Sequence, residues 1–347
     1  MTDTLFRAAL EKRNDGRPPV WFMRQAGRYH SHYQALRKQH GFIELCKRPE
    51  LACEVTMGPI DEFDFDAAIL FSDLLFPLEA MGMGLDYVPG PKLDWHLRSL
   101  DDLKRLQGGT QNLDQLAFQG EAVTKIRAAL PDSKGLLGFV GGPLTLFFYA
   151  VNGSHQGDLS DSRAGLTDGR FDGFMEALTD LIVENMIMQA RAGADVVAVF
   201  DTCGGEVDVD VYQDRAVPAL ARILNAYHAA CPDVPVVYYS RGTGSEYWDC
   251  LVDLPISCLG VDWRSPLPEV VTAYGDRWAI QGNADPDWLL LPRTELEAKL
   301  VPYFEGMLAL PAEARRGWVC GLGHGVTPKV PEENVHAFIR LQREMFG

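Results

Sequence analysis

Eight short hydrophobic runs recur along the chain, and segments with apolar residues at helical spacing lie between most of them. The runs are apolar on both faces, which is typical of buried parallel strands. They comprise residues 20–23, 67–71, 136–140, 196–200, 234–239, 258–261, 278–281 and 318–321. Residues 172–192 and 210–230 are helical segments between them. This alternation predicts an α/β protein with a (β/α)8 barrel, and a doubly wound open sheet is the alternative.

Polar side chains follow most of the predicted strands directly. They include Arg24, Gln25, Ser72, Asp73, Asp201, Thr202, Ser240, Asp262, Asn283 and His324. In a barrel the carboxyl ends of the strands meet at one rim, and barrel enzymes carry their active sites there. A structural protein has no need to gather polar groups at one rim, so the pattern predicts an enzyme.

Charge and cysteine content narrow the function further. The net charge of −16 argues against a general nucleic-acid or anionic-membrane binder. An anionic ligand must therefore be held by local arginines. The seven cysteines form no CxxC pair, so we expect reduced thiols and a cytoplasmic protein. We expect neither a signal peptide nor a membrane span, since no apolar run approaches roughly 18 residues.

Two arginines, Arg24 and Arg28, close the first apolar run. If a helix begins near Gln25, the two share one helical face. They then either pair with acidic residues at the rim or clamp the carboxylates or phosphates of a ligand. The sequence is equally balanced for Asp73, which either caps the next helix or serves as a catalytic base or cation stabiliser.

Other patterns weigh against alternative barrel chemistries. His30 and His32 form an HxH pair several residues beyond the first run, which favours surface histidines over metal ligands. No lysine ends a predicted strand, which argues against a Schiff-base aldolase. The GLGHG segment either cradles a phosphate, as in a phosphate-sugar barrel enzyme, or brings His324 over the barrel mouth.

Taken together, the motifs resemble the uroporphyrinogen decarboxylase family over essentially the whole chain. They are PVWFMRQAGRY, ELCKRPELACEVTMGPI, DAAILFSDLLFPLEAMG, GFVGGPLTLFFY, FDTCGG, GVDW, QGNADP and GLGHGVTPKVPEENV, in the family's order. The resemblance implies one barrel domain over residues 1–347, commonly a homodimer, with no metal or organic cofactor. The implied reaction converts the four acetate arms of uroporphyrinogen III to methyls, giving coproporphyrinogen III and carbon dioxide.

The resemblance also implies which residues bind substrate. Arg24 and Arg28 match the family's carboxylate-binding arginines, and the segment between them, Gln25, Ala26 and Gly27, belongs to the same substrate site. Both arginines are also catalytic candidates. An arginine–water arrangement at one of them is the favoured proton donor, although an unperturbed guanidinium is a very weak acid.

Four further residues complete the implied site. Asp73 matches the family's aspartate that accepts hydrogen bonds from the pyrrole N–H groups, and it is the expected stabiliser of a protonated pyrrole. Tyr149 matches the tyrosine after the GxP motif, and His324 matches the histidine of LGHG; both are catalytic and substrate-binding candidates. Thr202 stands where the family has Ser or Thr, and it is a substrate-binding candidate.

The chain departs from the family's usual pattern at several positions that flank the site. They are residues 30–32 (HSH), Leu144, residues 150–162 (AVNGSHQGDLSDS) and Ala284. The related cobalamin- or coenzyme M-dependent methyltransferases are an alternative, but Tyr238 and Ser240 stand where those enzymes place a His-x-Cys zinc pair. A non-catalytic tetrapyrrole-binding protein is the other alternative, and it could dispense with Asp73.

Overall fold

Seven parallel strands form a curled sheet in a computed structural model that describes residues 4–88 and 90–347. The sheet order is β1-β4-β5-β6-β7-β8-β9, so each strand pairs with the next long strand in the chain. A separate antiparallel pair, β2-β3, comes between β1 and β4 in sequence. The strands are β1 Ala67–Ile69, β2 Asp86–Tyr87, β3 Pro91–Lys92, β4 Gly135–Gly141, β5 Val196–Asp201, β6 Val236–Ser240, β7 Cys258–Gly260, β8 Ala279–Ala284 and β9 Trp318–Leu322.

The predicted first strand, residues 20–23, is the one predicted strand that does not form. Only Val20 makes a bridge, parallel to Cys320 of β9. The backbone of this segment nevertheless bonds to both edges of the sheet: Trp21 N–H donates to the Cys320 carbonyl at 3.0 Å, and Asp66 N–H donates to the Val20 carbonyl at 2.9 Å. The segment therefore fills the eighth position and closes the barrel, as the (β/α)8 prediction requires.

The closing segment is short for local reasons. It follows Pro18 and Pro19, which have no N–H to give to a ladder. It also approaches β9 so closely that a Cβ at Gly321 would lie 2.2 Å from the Trp21 carbonyl oxygen, so only glycine fits there. Asp66 also stabilises the closed barrel, because its carboxylate accepts a hydrogen bond from the Val20 N–H at 2.8 Å.

Helices of very different lengths surround the sheet. The predicted helix 172–192 lies within α9 except for residue 192. The predicted helix 210–230 contains a π-helical turn, Tyr212–Ala216, before α11. The helices are α1 Leu5–Leu10, α2 Ser31–Gln39, α3 Phe42–Lys47, α4 Pro49–Phe63, α5 Phe76–Leu78, α6 Ala117–Ala129, α7 Pro143–Asn152, α8 Ser160–Gly165, α9 Arg170–Arg191, α10 Val209–Val211, α11 Val217–Ala230, α12 Ser245–Trp248, α13 Leu267–Tyr274, α14 Arg293–Leu308 and α15 Glu332–Phe346.

Short helical turns of 3-10 or π type complete the connections. They are Glu79–Met83, Leu100–Arg105, Thr110–Leu116, Gly204–Glu206, Tyr212–Ala216, Asp249–Leu251, Pro286–Leu290 and Glu313–Arg315. All seven cysteines are unpaired thiols. Within the described part of the chain, no helix has both the length and the apolar character needed to cross a membrane.

Candidate active site

Loops after several different strands bring the predicted site residues to one rim of the barrel. Arg24 follows the closing segment, Asp73 follows β1, Tyr149 lies on α7 after β4, and His324 follows β9. The charges of Arg24 and Asp73 both act on the pKa of Tyr149, and Arg24 also acts on the pKa of His324. These four side chains therefore belong to one cleft, although they are separated by up to 300 residues in sequence.

The two arginines of the opening motif lie in a turn and not on a helix. Gln25 N–H donates to the Phe22 carbonyl at 3.1 Å, and α2 begins only at Ser31, so the predicted shared helical face is wrong. Arg24 adopts a left-handed φ of 60°, which reverses the chain direction. In the part of the chain that the structure describes, the exposed guanidinium groups of Arg24 and Arg28 have no acidic partner. The salt-bridge interpretation is therefore wrong as well.

Backbone N–H groups in the same turn are also unoccupied. Across residues 4–88 and 90–347, the amides of Ala26, Gly27 and Arg28 find no acceptor. The Gln25 side chain, by contrast, is buried and donates to the Ala67 carbonyl at 3.1 Å, so it fixes the turn from inside. Consecutive free N–H groups beside two guanidinium groups could together donate hydrogen bonds to an anion.

Asp73 combines the two interpretations that the sequence left open. Its Oδ1 accepts the Leu75 N–H at 2.9 Å and so fixes the turn before α5. The Tyr87 hydroxyl also lies close enough to the Asp73 carboxylate to act on its pKa as a hydrogen-bond partner. Burial raises the pKa of the Asp73 carboxyl, and Tyr87, the Leu75 N–H and Arg24 partly offset that rise. Asp73 thus has a structural role in the turn and also lies at the cleft beside Arg24.

Tyr149 forms a close pair with a histidine. Its Oη lies 2.6 Å from Nδ1 of His155, which is a short hydrogen bond. Burial, together with the charge of Asp73, raises the pKa of Tyr149 to about 12. Nearby, Thr202 follows β5 half-buried, and its hydroxyl makes no hydrogen bond within the described residues. Tyr149 and His155 therefore lie together at the cleft, while Thr202 lies at the end of β5.

His324 contacts Tyr239, a tyrosine on another strand of the barrel. Tyr239 on β6 donates to the Gly323 carbonyl at 2.8 Å, and its Oη lies 3.2 Å from Nδ1 of His324. The two rings stack with centroids 5.9 Å apart. Burial, with the positive charges of Arg24 and Arg241, lowers the pKa of His324 to about 3. His324 is therefore a neutral imidazole at physiological pH.

Two further arginines at the rim were missed from the sequence. Arg241 follows β6 and lies 3.5 Å from Glu206, while Arg264 follows β7 and pairs with Asp262. Both influence the pKa of His324, so both face the same cleft as Arg24. The signal was available, because each arginine comes one or two residues after a strand-ending polar residue.

The HxH motif has a structural role at its first position. His30 is only 2% exposed and packs its ring 5.1 Å from that of Phe63, so the surface interpretation is wrong for this residue. His32 is half-buried, and its Nε2 lies 3.1 Å from the Glu54 carbonyl oxygen.

The donor sets do not favour a metal centre. Among the described residues, no group of three or more His, Cys, Asp or Glu side chains is arranged to hold a metal ion. At the positions compared with the methyltransferase zinc site, the Tyr238 hydroxyl is hydrogen-bonded to Tyr212 at 2.7 Å. The cysteine of the last strand, Cys320, is buried within β9 and belongs to no possible metal-binding group among the described residues. The residues present therefore do not fit that zinc site.

Comparison with solved structures identifies other proteins that share this barrel fold. Among solved structures, a methyltransferase from Methanosarcina mazei superposes with a TM-score of 0.74, at 19% identity and 99% coverage of both chains. A putative vitamin-B12 independent methionine synthase from Listeria monocytogenes gives 0.55 at 13% identity, with 96% of this chain and 97% of that chain covered. At such identities the likeness concerns the barrel fold alone.

Relatives with higher identity identify the family. The uroporphyrinogen decarboxylase of Pelobacter propionicus is 35% identical over 331 residues, covering 95% of each chain. That of Vesicomyosocius okutanii subsp. Calyptogena okutanii is 36% identical over 338 residues, again with 95% of each chain covered. The family model described as "Uroporphyrinogen decarboxylase (URO-D)" matches residues 1–345. The chain therefore belongs to the uroporphyrinogen decarboxylase family.

Proposed function

We propose that this protein decarboxylates the four acetate arms of uroporphyrinogen III, giving coproporphyrinogen III and carbon dioxide in haem biosynthesis. One observation carries the proposal beyond family membership. Arg24 and Arg28 have no acidic partner among the described residues, and Arg24 shares a cleft with the half-buried carboxylate of Asp73. This arrangement suits a ligand that combines many carboxylates with a centre that becomes positively charged.

Recognition of the substrate depends on its carboxylates. Arg24 and Arg28 bind some of them, and the free N–H groups of Ala26 and Gly27 donate to the oxygen of another. Arg241 approaches from the other side of the cleft, where it acts on the pKa of both His324 and His155. Contacts on both sides orient the macrocycle so that one acetate arm at a time faces Asp73.

The reaction needs an electron sink, and the substrate itself supplies one. A proton added to the pyrrole ring beside an acetate arm produces an iminium-like cation, which accepts the electrons released when carbon dioxide leaves. We assign this proton to an arginine–water arrangement at Arg28 or Arg24. Asp73 stabilises the cation and accepts hydrogen bonds from the pyrrole N–H groups. At an effective dielectric constant of about 20, opposite charges about 4 Å apart attract by roughly 4 kcal/mol, on the order of a thousandfold in rate.

The remaining site residues orient the substrate around this centre. Thr202 and the neutral imidazole of His324 offer hydrogen bonds to substrate carboxylates and ring N–H groups. Tyr149 lies near enough to Asp73 for that carboxylate to raise its pKa, so its hydroxyl is placed beside the reacting ring. Exclusion of water from this cleft also favours loss of the acetate charge as carbon dioxide, a contribution whose size is contested.

The test is anaerobic incubation of the purified chain with uroporphyrinogen III, following the stepwise loss of carboxylates. We expect coproporphyrinogen III as the product. Asp73→Asn keeps the size of the side chain but removes its charge and replaces one accepting oxygen with an N–H donor, so turnover should fall about a hundredfold or more. Near wild-type turnover by Asp73→Asn would refute its role, and an inactive wild-type protein would refute the function.

Binding by Arg24 is tested separately from catalysis. Arg24→Ala should weaken the binding of uroporphyrinogen, which has eight carboxylates, far more than that of coproporphyrinogen, which has four. Equal losses for the two ligands would count against carboxylate recognition by Arg24.

Assembly and location are part of the same proposal. We propose that residues 1–347 act as one barrel domain that pairs into a homodimer in the cytoplasm and works without a metal or organic cofactor. Family membership supports this, and one continuous hydrophobic cluster extends from Phe6 to Ile339. Light scattering of the purified protein measures the dimer. Activity that survives exhaustive treatment with a chelator would support the absence of a metal.

A further inference from the structure

The loop after α7 brings into the cleft a histidine, His155, that was not among the predicted site residues. Gly153 ends the helix with a left-handed φ of 71°. The Gln156 N–H then donates to the Ser154 hydroxyl at 3.0 Å, and Asn152 donates to the Asp158 carbonyl at 3.0 Å. These bonds fix the turn that holds His155 against Tyr149.

The histidine connects the tyrosine with solvent. Nδ1 of His155 lies 2.6 Å from the Tyr149 hydroxyl, while Nε2 lies 3.5 Å from the side-chain nitrogen of Gln156, an exposed residue. Tyr149 itself lies deeper, within the influence of Asp73. One imidazole therefore separates a hydroxyl inside the cleft from the water outside.

The charges around this pair explain why the tyrosine needs such a partner. Burial and Asp73 raise the pKa of Tyr149 to about 12, so it does not release a proton unless another reaches it at the same time. Burial, with Arg241 and Arg24, lowers the pKa of His155, while Glu206 opposes that change. The imidazole is therefore neutral at physiological pH, and a neutral imidazole passes a proton from one ring nitrogen to the other.

We infer that His155 relays protons from solvent to Tyr149, and that Tyr149 protonates the methylene carbon formed when carbon dioxide leaves. This inference rests on the proposed decarboxylation. In the productive tautomer, Nδ1–H donates to the Tyr149 oxygen, which leaves the O–H free to face the substrate. His155 acts through Tyr149 and does not itself contact the reacting carbon.

The proton balance of each step closes. The bond between the methylene carbon and the carboxylate breaks, and its electron pair stays on the methylene side, delocalised into the ring. The Tyr149 O–H breaks as the new C–H forms, the Nδ1–H proton passes to the tyrosine oxygen, and Nε2 takes a proton from water, which leaves hydroxide in the solvent. Proton exchange with solvent then returns the imidazole from the Nε2–H to the Nδ1–H tautomer before the next arm reacts. The net change is –CH₂–COO⁻ plus one proton to –CH₃ plus carbon dioxide, and the proton added to the ring returns to its donor.

His155→Gln tests the relay, because glutamine can hydrogen-bond to Tyr149 but does not pass a proton between its two polar atoms. We expect kcat for uroporphyrinogen to fall about a hundredfold, with KM changed less than about threefold. Asp158→Asn, an exposed change in the same loop whose side chain bonds to Ser160 and not to His155, is the matched control and should keep wild-type kcat. In His155→Gly, added imidazole should restore part of the lost kcat, which a purely structural role of His155 would not allow.

Coupling between the two residues gives a second measurement. If they act as one unit, the double variant Tyr149→Phe/His155→Gln should be no slower than Tyr149→Phe alone. An active wild-type protein with unchanged kcat in His155→Gln would overturn the relay and leave the decarboxylase function intact. Additive losses, or failure of imidazole rescue, would also overturn it. An inactive wild-type protein would overturn the function and the relay together.

Discussion

Gly325→Ala offers a way to displace Arg24 without removing its charge. The Arg24 side chain crosses directly over Gly325, so that a Cβ at that position would lie 2.4 Å from Cδ and 2.7 Å from Cγ of Arg24. Gly325 does not have a left-handed φ, so alanine suits its backbone. Because the obstructing atoms belong to a flexible side chain, we expect the arginine to move while the loop keeps its course.

The expected effect follows from the interaction that is lost. A hydrogen bond to a charged group contributes about 1.5–3 kcal/mol, so misplacing Arg24 should weaken uroporphyrinogen binding by roughly 10- to 100-fold. Initial rates under anaerobic conditions at varied substrate concentration measure this as a rise in KM. Thermal unfolding should change little. Gly41→Ala is the matched control, because a Cβ at Gly41 has no neighbour within 4 Å, and its KM should stay at the wild-type value.

Two results would refute this reasoning. Unchanged KM in Gly325→Ala would mean that the position of Arg24 does not matter for binding. A large fall in the unfolding temperature, with activity lost in proportion, would mean that Gly325 supports the loop and not the arginine. The double variant Arg24→Ala/Gly325→Ala distinguishes the explanations, since it should bind no more weakly than Arg24→Ala alone.

Three further predictions concern charge and closure. Arg241→Gln should raise KM for uroporphyrinogen about tenfold in rate assays, and an unchanged KM would exclude Arg241 from binding. Nuclear magnetic resonance titration should show His324 neutral down to about pH 4 in the free protein, and Arg24→Gln should raise its pKa toward the ordinary range. Because folding lowers this pKa, His324 should cost stability as pH falls from about 6.5 toward 3. Asp66→Asn should reduce the free energy of unfolding by about 3 kcal/mol in denaturant titration, since it breaks a bidentate pair with Arg17 at 2.7 Å and the bond that positions the closing segment.

The barrel was predictable because its strands are buried on both faces. A run such as 318–321 contains little besides apolar residues, and the observed strand Trp318–Leu322 differs from it by one residue. The closing segment failed as a strand because prolines precede it and a left-handed residue ends it, although its apolar residues still occupy the predicted place. The pair β2-β3 was missed because each strand has only two residues, too few for any alternation to show.

Some residues of the candidate site could be predicted from the sequence, and others could not. Residues that end a strand, such as Asp73, could be assigned to the rim because strand direction alone determines which edge they reach. His155 could not, because it lies after a helix and reaches the cleft only through a left-handed glycine and the turn that follows. The sequence also could not show that Arg24 lacks a salt bridge, because no sequence pattern indicates which carboxylates lie within reach of a guanidinium group.

The negative net charge of the chain and the arginines of the proposed site together favour a ligand with many carboxylates over one with few. The net charge of −16 opposes the approach of any carboxylate-rich molecule, but at physiological ionic strength that repulsion is screened beyond about 8 Å. In the proposed substrate site, Arg24 and Arg28, which have no acidic partner among the described residues, would act over shorter distances, where their attraction is screened less. A ligand with one or two carboxylates meets the same outer field but contacts only part of this site. Strong binding therefore requires carboxylates on several sides of the ligand at once, which is the arrangement around a tetrapyrrole.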